Sequence, residues 1–364
     1  MSSEVVRVRV NPDQPDVEAV ARAAEVIRRG GLVAFPTETV YGLGADALNP
    51  QAVARIFEAK GRPAHDPIIV HVAGVDELAR VAREVPSVAQ HLAEIFWPGP
   101  LTLVVPKADV VPPVVTAGGE TVAVRCPAHP VALALIRASQ TPIAAPSANR
   151  FGHTSPTTAQ HVLDDLAGRF DLLLDSGPTP VGVESTVLDL TAEIPTILRP
   201  GGVPREALEA VLGQVAVVER GPGRNMPLRS PGLLERHYAP RAELWLFTGP
   251  TEPVVEALCQ EVRRAREAGR RVAALVADED VARVRAKAKD VVVIAVGPSH
   301  EGAVVAQRLF AALRTLDAQN PDLILARDFP RQGLGLAVHD RLVRAADRVV
   351  DVTVGTGVLP FESD

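Results

Sequence analysis

Short runs of apolar residues alternate along the first part of the chain with stretches in which apolar residues recur every three or four positions. The runs predict buried strands, and the longer spacing predicts amphipathic helices. The first helix is expected to bury a face made of Val17, Val20, Ala21, Ala24 and Ile27. Strands are expected at Val5–Val10, Leu32–Phe35, Ile68–Val72, Leu101–Val105, Thr121–Arg125, Pro142–Ala145, Leu172–Leu174 and Thr186–Leu190. Helices near 49–60, 76–83, 87–95, 129–139 and 158–166 complete an α/β domain with a mixed twisted sheet.

A stretch rich in proline and glycine interrupts this pattern after Val218. Residues 221–232 cannot sustain a helix or a central strand. Beyond them, helical patterns near 253–268, 301–318 and 338–347 separate four apolar runs, at Glu243–Phe247, Arg271–Val276, Val291–Val296 and Leu323–Ala326. This alternation predicts a smaller, doubly wound, Rossmann-like parallel sheet. The expected organisation is a first domain over 1–218, a linker over 219–241 and a second domain over 242–364.

Composition and charge narrow the classes of protein. A chain of 364 residues is longer than one core usually supports, in keeping with two domains. The net charge of -6 disfavours a protein that grips phosphate backbones, so no stable nucleic-acid binding is expected. The charged start lacks the apolar run of a signal peptide, and no window resembles a membrane span, which predicts a cytoplasmic protein. Cys126 and Cys259 have no partners at metal-ligand spacing, so neither a zinc site nor a disulfide framework is expected.

General nucleotide and hydrolase motifs are missing from the sequence. There is no Gly-Lys-Ser/Thr loop, and Gly333-Leu-Gly335 lacks the third glycine and the preceding strand of a dinucleotide-binding turn. Zincin and nucleophile-elbow patterns are also absent. Any nucleotide is therefore expected to bind through a less general arrangement.

Polar loops follow several of the predicted strands and helices. In Pro36–Gly44, two glycines permit close backbone approach to a ligand, while threonines and Tyr41 supply hydroxyls; a self-capped loop is the alternative. Lys60-Gly-Arg-Pro63 ends a helix, either as a simple C-cap or as a phosphate clamp formed by Lys60 and Arg62. Both interpretations remain open from these residues alone.

The remaining polar candidates also have structural alternatives. His71 lies in an apolar run, where a lone histidine is commonly a core residue rather than a ligand. Arg125 ends a strand and could form a surface salt bridge. Pro146–Asn149 and Ser155–Thr157 carry small donors near a helix start, which suit an anion or ordinary capping.

Taken together and in order, these stretches resemble the long-form threonylcarbamoyl-AMP synthases, whose first domain is of the YrdC type. The resemblance covers nearly the whole chain, and the joint order of its motifs is specific. It rests on Phe35–Gly44, Lys60–Pro63, Ile69–Val72, Trp97–Thr102, Val124–Pro127, Pro146–Asn149, Ser155–Thr157, Glu184–Thr186, Leu198–Gly201, Ser230–Gly232, His237–Pro240, Gly333–Gly335 and Asp340–Leu342.

The resemblance implies a nucleotidyltransferase that converts L-threonine, bicarbonate and ATP into threonylcarbamoyl-AMP and pyrophosphate. It implies Mg²⁺ bound with ATP rather than in a protein cage, and a downstream tRNA threonylcarbamoyl transferase as partner. Lys60 and Arg62 would stabilise charge, with no protein nucleophile. Threonine would contact Thr39, His71, Arg125, Ala145 and Ser185. ATP would contact Arg62, Asp66, Thr121, Ser147, Ser155, Arg199 and Tyr238.

The sequence departs from the family pattern at Asp66, where asparagine is expected, and also at Ile68 and Phe151. An added carboxylate near a triphosphate would repel it unless it is turned away or helps to hold a metal ion. The role that the resemblance gives to Asp66 is therefore the most open.

Two other functions fit parts of the sequence. A double-stranded RNA or tRNA-binding protein could use the same concave face, although the acidic balance counts against it. A carbamoyltransferase of the hydrogenase-maturation type shares the first-domain resemblance, but it would need further modules and cysteines. For a synthase of this family, the linker is expected to fold over the first domain's pocket and to bring Tyr238 to the ATP side. The alternative is that Tyr238 packs only against the second domain.

Overall fold

A computed structural model describes residues 5–218, 237–287 and 291–354. Backbone contacts divide the chain into two units. The first comprises Met1–Phe151 and Ser155–Glu235, and the second comprises Gly152–Thr154 and Arg236–Asp364. Of the predicted linker, residues 219–236 lie outside the described residues, and 237–241 group with the second unit.

The first unit is built on one mixed sheet with helices packed on it. Its strands are β1 (Val6–Arg9), β2 (Val33–Phe35), β3 (Gly42–Asp46), β4 (Val70–His71), β5 (Leu101–Pro106), β6 (Thr121–Arg125), β7 (Ile143–Ala144), β8 (Leu172–Asp175), β9 (Thr186–Asp189), β10 (Thr196–Arg199) and β11 (Ala216–Val217). Its helices are α1 (Val17–Arg28), α2 (Pro50–Lys60), α3 (Ser87–Phe96), α4 (Pro130–Ser139), α5 (Ala159–Leu166) and α6 (Arg205–Leu212), with a 3-10 helix at Val75–Arg80. The predicted mixed α/β class is confirmed.

The strand order is β1-β8-β2-β3-β7-β4-β6-β5-β9-β10-β11, which places strands distant in sequence side by side at the centre. β4 and β6 are parallel, β6 and β5 antiparallel, and β5 and β9 parallel. One face of these strands joins the largest core cluster through residues such as Val70, Leu103 and Val124. Since strand side chains alternate between faces, the residues between them point to the opposite face.

The second unit contains a parallel five-stranded sheet of order β14-β13-β15-β12-β16. Its strands are β12 (Glu243–Thr248), β13 (Val272–Val276), β14 (Val292–Ala295), β15 (Leu323–Arg327) and β16 (Arg348–Asp351). Its helices are α7 (Thr251–Glu267), α8 (Val281–Lys287), α9 (Gly302–Ala318) and α10 (Gly335–Ala345). The predicted doubly wound sheet is confirmed, since crossover helices connect the successive parallel strands.

Helix α1 buries Val20, Ala24 and Ile27 as predicted, but the predicted Val17 and Ala21 are exposed. Val17 is 81% exposed at the first helical position, and Ala19 and Ala23 are buried together with the predicted Val20, Ala24 and Ile27. Asp16 caps the helix by accepting a hydrogen bond from the Ala19 amide at 2.8 Å. The alanines made the sequence pattern ambiguous, because a small side chain fits on either face.

Several other predicted features match the structure closely. Asn49 caps α2 with its side chain, Pro50 occupies the first turn, and Gly61 ends the helix with a left-handed φ of 67°. Cys126 and Cys259 are buried free thiols. Among the residues described, no helix is both long and apolar enough to cross a membrane.

Candidate active site

A row of polar side chains crosses the centre of the first sheet on the face opposite its main core. His71 pairs in register with Arg125, and Arg125 pairs with Thr102 on the other side. The row continues through Val187 to Arg199. Paired positions on neighbouring strands place side chains on the same face. All four polar members of the row are at most 4% exposed, so the sheet gathers hydrogen-bonding groups in a desolvated place.

Arg125 is held from both sides of the row. Its Nε donates to the Gly99 carbonyl at 3.3 Å, and its Nη2 lies 2.7 Å from Glu38 Oε1. Glu38 and Arg125 form an ion pair by distance, but their relative orientation does not make a hydrogen bond. The surface salt bridge considered from the sequence is therefore wrong for Arg125, because both partners are buried.

Ser185 connects the row to Arg199. The hydroxyls of Ser185 and Thr102 lie 2.7 Å apart, and Arg199 Nη2 donates to the Ser185 carbonyl at 2.9 Å. Gly201 makes this approach possible, since a Cβ there would lie 2.3 Å from the Glu184 carbonyl oxygen. The end of β10 thus packs directly on the segment that carries Ser185.

Lys60 is a buried cation that joins two loops. Its Nζ donates to the carbonyls of Ser147 and Asn149 at 2.5 and 2.6 Å. Burial lowers the pKa of the Lys60 ammonium well below its ordinary value, and the nearby Arg62 charge acts in the same direction. The C-cap interpretation of Lys60–Pro63 is confirmed, because Gly61 ends the helix in a left-handed conformation. The Lys60 ammonium has a separate role, since it donates to the loop at 147–149.

Arg62 and Asp66 form a buried pair within the loop after α2. Arg62 Nη2 lies 2.9 Å from Asp66 Oδ2 and donates to the Pro67 carbonyl at 2.7 Å. Burial raises the pKa of the Asp66 carboxyl, and the Arg62 charge opposes that rise. The resemblance placed the Asp66 carboxylate near a triphosphate. In the structure this carboxylate faces the Arg62 guanidinium.

His71 combines the two interpretations made from sequence. Its ring packs edge-on to Phe35 at 6.2 Å, as a core residue would, yet its Nδ1 is buried without a hydrogen-bond partner among the described residues. Burial lowers the pKa of His71 to about 3, with the neighbouring Arg125 charge as a further cause. The ring is therefore neutral at physiological pH.

This burial predicts a pH dependence of stability that can be assigned to His71. Between its folded pKa of about 3 and its unfolded pKa of 6.5, the unfolded chain binds a proton that the folded chain does not. Stability should therefore fall as pH falls through this window. Relative to His71→Gln, the free energy of unfolding of the natural chain should change by about 1.4 kcal/mol per pH unit.

Urea unfolding of both chains at a series of pH values measures this difference. The two curves should run parallel above pH 6.5 and diverge below it. Other carboxyls and histidines titrate in both proteins and cancel in the comparison. Parallel curves throughout the window would contradict a buried neutral His71.

The loop after β2 is both self-capped and connected to the polar row. The Thr37 hydroxyl donates to the Val40 carbonyl at 2.6 Å and lies 2.8 Å from the Thr39 hydroxyl. The Gly182 amide donates to the Thr39 carbonyl at 3.2 Å, which joins this loop to the segment leading to β9. Thr39 is also the neighbour in sequence of Glu38, which pairs with Arg125.

The two glycines lie in a strand rather than in a loop, which corrects the predicted extent of the loop Pro36–Gly44. Gly42 and Gly44 lie in β3, opposite β2. A Cβ at Gly44 would lie 2.7 Å from the Phe35 ring and 2.8 Å from Ile143. Gly44 makes room for the buried Phe35 ring. The loop prediction missed β3 because glycine is uncommon within strands.

The other residues predicted to contact threonine or ATP lie at varying distances from the polar row. The Ala145 amide donates to the Ile69 carbonyl at 2.9 Å, which holds it beside β4. Ser147 meets Lys60 through its carbonyl, and the buried Ser155 hydroxyl donates to Glu184. Thr121 begins β6 four residues before Arg125, about 13 Å away along an extended strand.

Tyr238 lies in the second unit, where its ring is 1% exposed. It packs at 5.6 Å from the Phe310 ring, beneath the Arg341 guanidinium at 4.9 Å. The His237 amide donates to the Arg344 carbonyl at 3.0 Å. These contacts explain why the His237–Pro240 and Asp340–Leu342 motifs occur together. The assignment of Tyr238 to ATP and the folding of the linker over the first domain stay predictions.

Sequence reasoning missed Glu38, Thr102 and Glu184 as members of the site. Glu38 and Thr102 are buried beside Arg125, and Glu184 receives the Ser155 hydrogen bond. All three lie within motifs recognised in the sequence. A charged residue between two threonines after a buried strand was the available signal for Glu38. In the described ranges, no three His, Cys, Asp or Glu residues cluster as metal ligands would.

The fold and this row define a two-unit α/β protein whose first unit gathers buried basic and hydroxyl groups suited to a small anionic ligand. Residues 25–201 match the family model described as "Telomere recombination", and residues 203–347 match that of the "Threonylcarbamoyl-AMP synthase, C-terminal domain".

Similar proteins cover almost the whole chain. The threonylcarbamoyl-AMP synthase of Pyrococcus abyssi is 47% identical over 91% of this chain and 95% of its own length. That of Bacillus subtilis is 47% identical over 90% and 92%, respectively. The crystal structure of P. abyssi Sua5 complexed with L-threonine superimposes with a TM-score of 0.88 at 44% identity, covering 96% of this chain and 99% of that one. The chain belongs to the threonylcarbamoyl-AMP synthase family.

Proposed function

We propose that this chain is an L-threonylcarbamoyladenylate synthase that consumes L-threonine, bicarbonate and ATP and releases pyrophosphate. The observation that carries the proposal is the buried row of His71, Arg125, Thr102 and Arg199, in a chain of this family. A desolvated guanidinium with unsatisfied hydrogen-bonding capacity suits a carboxylate ligand. L-Threonine is the ligand bound by the similar P. abyssi protein.

In the proposed reaction, the threonine nitrogen bonds to the bicarbonate carbon, a C–O bond breaks and water leaves, which gives a carbamate. The carbamate carboxylate oxygen then attacks the α-phosphorus of ATP. The P–O bond to pyrophosphate breaks, and a mixed carboxylic-phosphoric anhydride forms. Both reactants are anions, so the protein must offset charge and hold the attacking oxygen in line. No protein nucleophile is needed, because the carbamate itself attacks.

The residues of the row would divide this work. Arg125 would hold the threonine carboxylate, and the Ser185 hydroxyl and neutral His71 would meet the rest of the amino acid, next to Thr39 and Ala145. Buried hydroxyl and imidazole groups discriminate well between similar amino acids, since a ligand that leaves these groups without a hydrogen bond binds poorly.

The basic residues around the row would receive ATP. Arg199 is anchored on the Ser185 carbonyl, and Lys60 anchors the loop that contains Ser147. Arg62 would add positive charge, offset in part by Asp66. Mg²⁺ would enter with ATP as part of the substrate and neutralise its phosphates. Thr121, Ser155 and Tyr238 complete the proposed ATP contacts.

The product is a labile adenylate, which requires a transferase that moves its threonylcarbamoyl group to an adenosine in tRNA. We propose that the protein acts as a nucleotidyltransferase and that it works in the cytoplasm. It requires no stable association with nucleic acid, in agreement with the net charge of -6.

Pyrophosphate release tests the proposed substrates. With MgATP present, release should require both threonine and bicarbonate, because neither alone supplies the attacking carbamate oxygen. Serine should support reduced release, since a missing methyl group costs only about 1–3 kcal/mol in an apolar pocket.

The same assay separates this function from ATP hydrolysis. Reactions lacking threonine, lacking bicarbonate, or containing valine in place of threonine serve as controls. Equal release with and without threonine would overturn the proposal.

A further inference from the structure

Glu38 is a buried carboxylate whose hydrogen-bonding capacity the described part of the protein leaves unused. The residue is 7% exposed, and neither Oε1 nor Oε2 accepts a hydrogen bond from a described residue. Burying a carboxylate without donors is costly, and such groups in folded proteins usually have a partner. The carboxylate therefore requires a donor that the described residues do not supply.

The partner in the ion pair is incomplete in the same way. Arg125 Nη2 lies 2.7 Å from Glu38 Oε1, yet neither atom forms a hydrogen bond with any residue that the structure describes. Arg125 is instead fixed through Nε, which donates to the Gly99 carbonyl. A pair of opposite charges thus stands side by side, with free donors on one member and free acceptors on the other.

The loop around Glu38 is rigid enough to keep this arrangement. The Val181 amide donates to the Glu38 carbonyl at 2.9 Å, and the Thr37 hydroxyl closes the turn at Val40. The backbone on both sides is therefore anchored while the side chain carboxylate is left to a ligand.

A ligand that satisfies both side chains carries a carboxylate for Arg125 and, on a neighbouring atom, an ammonium for Glu38. An α-amino acid has this arrangement, with three N–H donors on its nitrogen. We propose that Glu38 is a specificity-determining residue that accepts hydrogen bonds from the α-nitrogen of threonine, while Arg125 binds the carboxylate. This inference rests on the proposed function and deepens it. After carbamate formation, the remaining N–H still donates to Glu38.

Three ligands separate the groups that Glu38 could recognise. 3-Hydroxybutanoate lacks the α-nitrogen of threonine, and 2-aminobutanoate lacks its hydroxyl. The natural chain should bind threonine on the order of 100-fold more tightly than 3-hydroxybutanoate, as expected when a buried charge loses its partner. In Glu38→Gln, calorimetry should give a threonine to 3-hydroxybutanoate ratio reduced to about 10-fold or less. The ratio of threonine to 2-aminobutanoate should stay unchanged.

Glu25→Gln is the matched control, since it removes one carboxylate of an exposed pair with Arg28 and should alter neither ratio. If Glu38→Gln weakens threonine and 3-hydroxybutanoate equally, Glu38 only positions Arg125 and the inference fails. It also fails if the ratio to 2-aminobutanoate collapses instead, because Glu38 then recognises the hydroxyl. Glu38→Asp is the second variant, for the case that Glu38→Gln does not fold. It keeps a negative charge near Arg125 but shortens the side chain by one methylene. It must also reduce the ratio of threonine to 3-hydroxybutanoate affinity.

The natural chain alone distinguishes this inference from the proposed function. Threonine-dependent pyrophosphate release with no discrimination against 3-hydroxybutanoate would overturn the role of Glu38 and leave the activity standing. Absence of threonine binding to the natural chain would overturn both.

Discussion

Arg125→Ala should lose threonine binding by about 2–5 kcal/mol, which corresponds to roughly 30-fold to several thousand-fold in affinity. The guanidinium is buried in the centre of the sheet, where a bound carboxylate would have no water to replace it. ATP affinity should change much less, because no described hydrogen bond joins Arg125 to Lys60, Arg62 or Arg199. Calorimetric titration with threonine and with MgATP measures both effects.

The alanine variant also leaves Glu38 as a buried unpaired charge, which commonly costs about 3–5 kcal/mol of stability. Arg125→Lys is therefore the companion variant. It keeps a positive charge beside Glu38 and loses only the ability to bind a carboxylate in a bidentate manner. It should fold and still bind threonine weakly. Unaltered threonine affinity in a folded Arg125→Ala protein would contradict the assignment.

Gly201→Ala should nearly abolish adenylate formation. Its Cβ would lie 2.3 Å from the Glu184 carbonyl oxygen and 2.4 Å from the Thr186 amide nitrogen, so the segment that carries Ser185 must move. Overpacking of this kind costs about 1–3 kcal/mol of stability, and a displacement of about 1 Å in an active site can cost on the order of 100-fold in rate.

Gly213→Ala is the matched control for this substitution. Gly213 has a left-handed φ of 79°, and a Cβ there would meet no atom within 4 Å. It should lose about 1–2 kcal/mol of stability from backbone strain alone and retain normal turnover. Unfolding curves and kcat measurements on both variants separate the two effects. Full activity in Gly201→Ala would contradict the packing of β10 on the Ser185 segment.

The periodic parts of the chain were predictable because their local signals agree with the fold. The Asn49-Pro50 start and Gly61 end of α2 follow from capping chemistry that acts over a few residues. Strand β6 was predicted at its observed bounds, since its apolar alternation lies between clear turns. The buried valines of the second sheet identified the parallel strands in the same way.

Other elements depend on tertiary contacts that no local pattern reveals. β3 contains Gly44 because the Phe35 ring and Ile143 fill the space that its side chain would need. The predictions missed five short elements, which are α6, α8, β10, β11 and β16.

In the candidate site, too, the sequence identified residues but not the tertiary contacts that bring them together. His71, Arg125, Ser185 and Arg199 were named through resemblance, but their alignment in one row arises from strand order and register. Glu38 entered the site because a loop distant in sequence pairs with β6. The burial of Lys60 against two carbonyls likewise required the folded chain.

The most direct test of the central claim is mass spectrometry of the product made from isotopically labelled bicarbonate. The full chain is incubated with MgATP, L-threonine and labelled bicarbonate, and the adenylate is analysed at once because it hydrolyses. The proposed reaction predicts an adenylate that contains both threonine and the labelled carbon, formed with an equal amount of pyrophosphate. A threonine adenylate without the label, or AMP and pyrophosphate with no adenylate at any time, would contradict it.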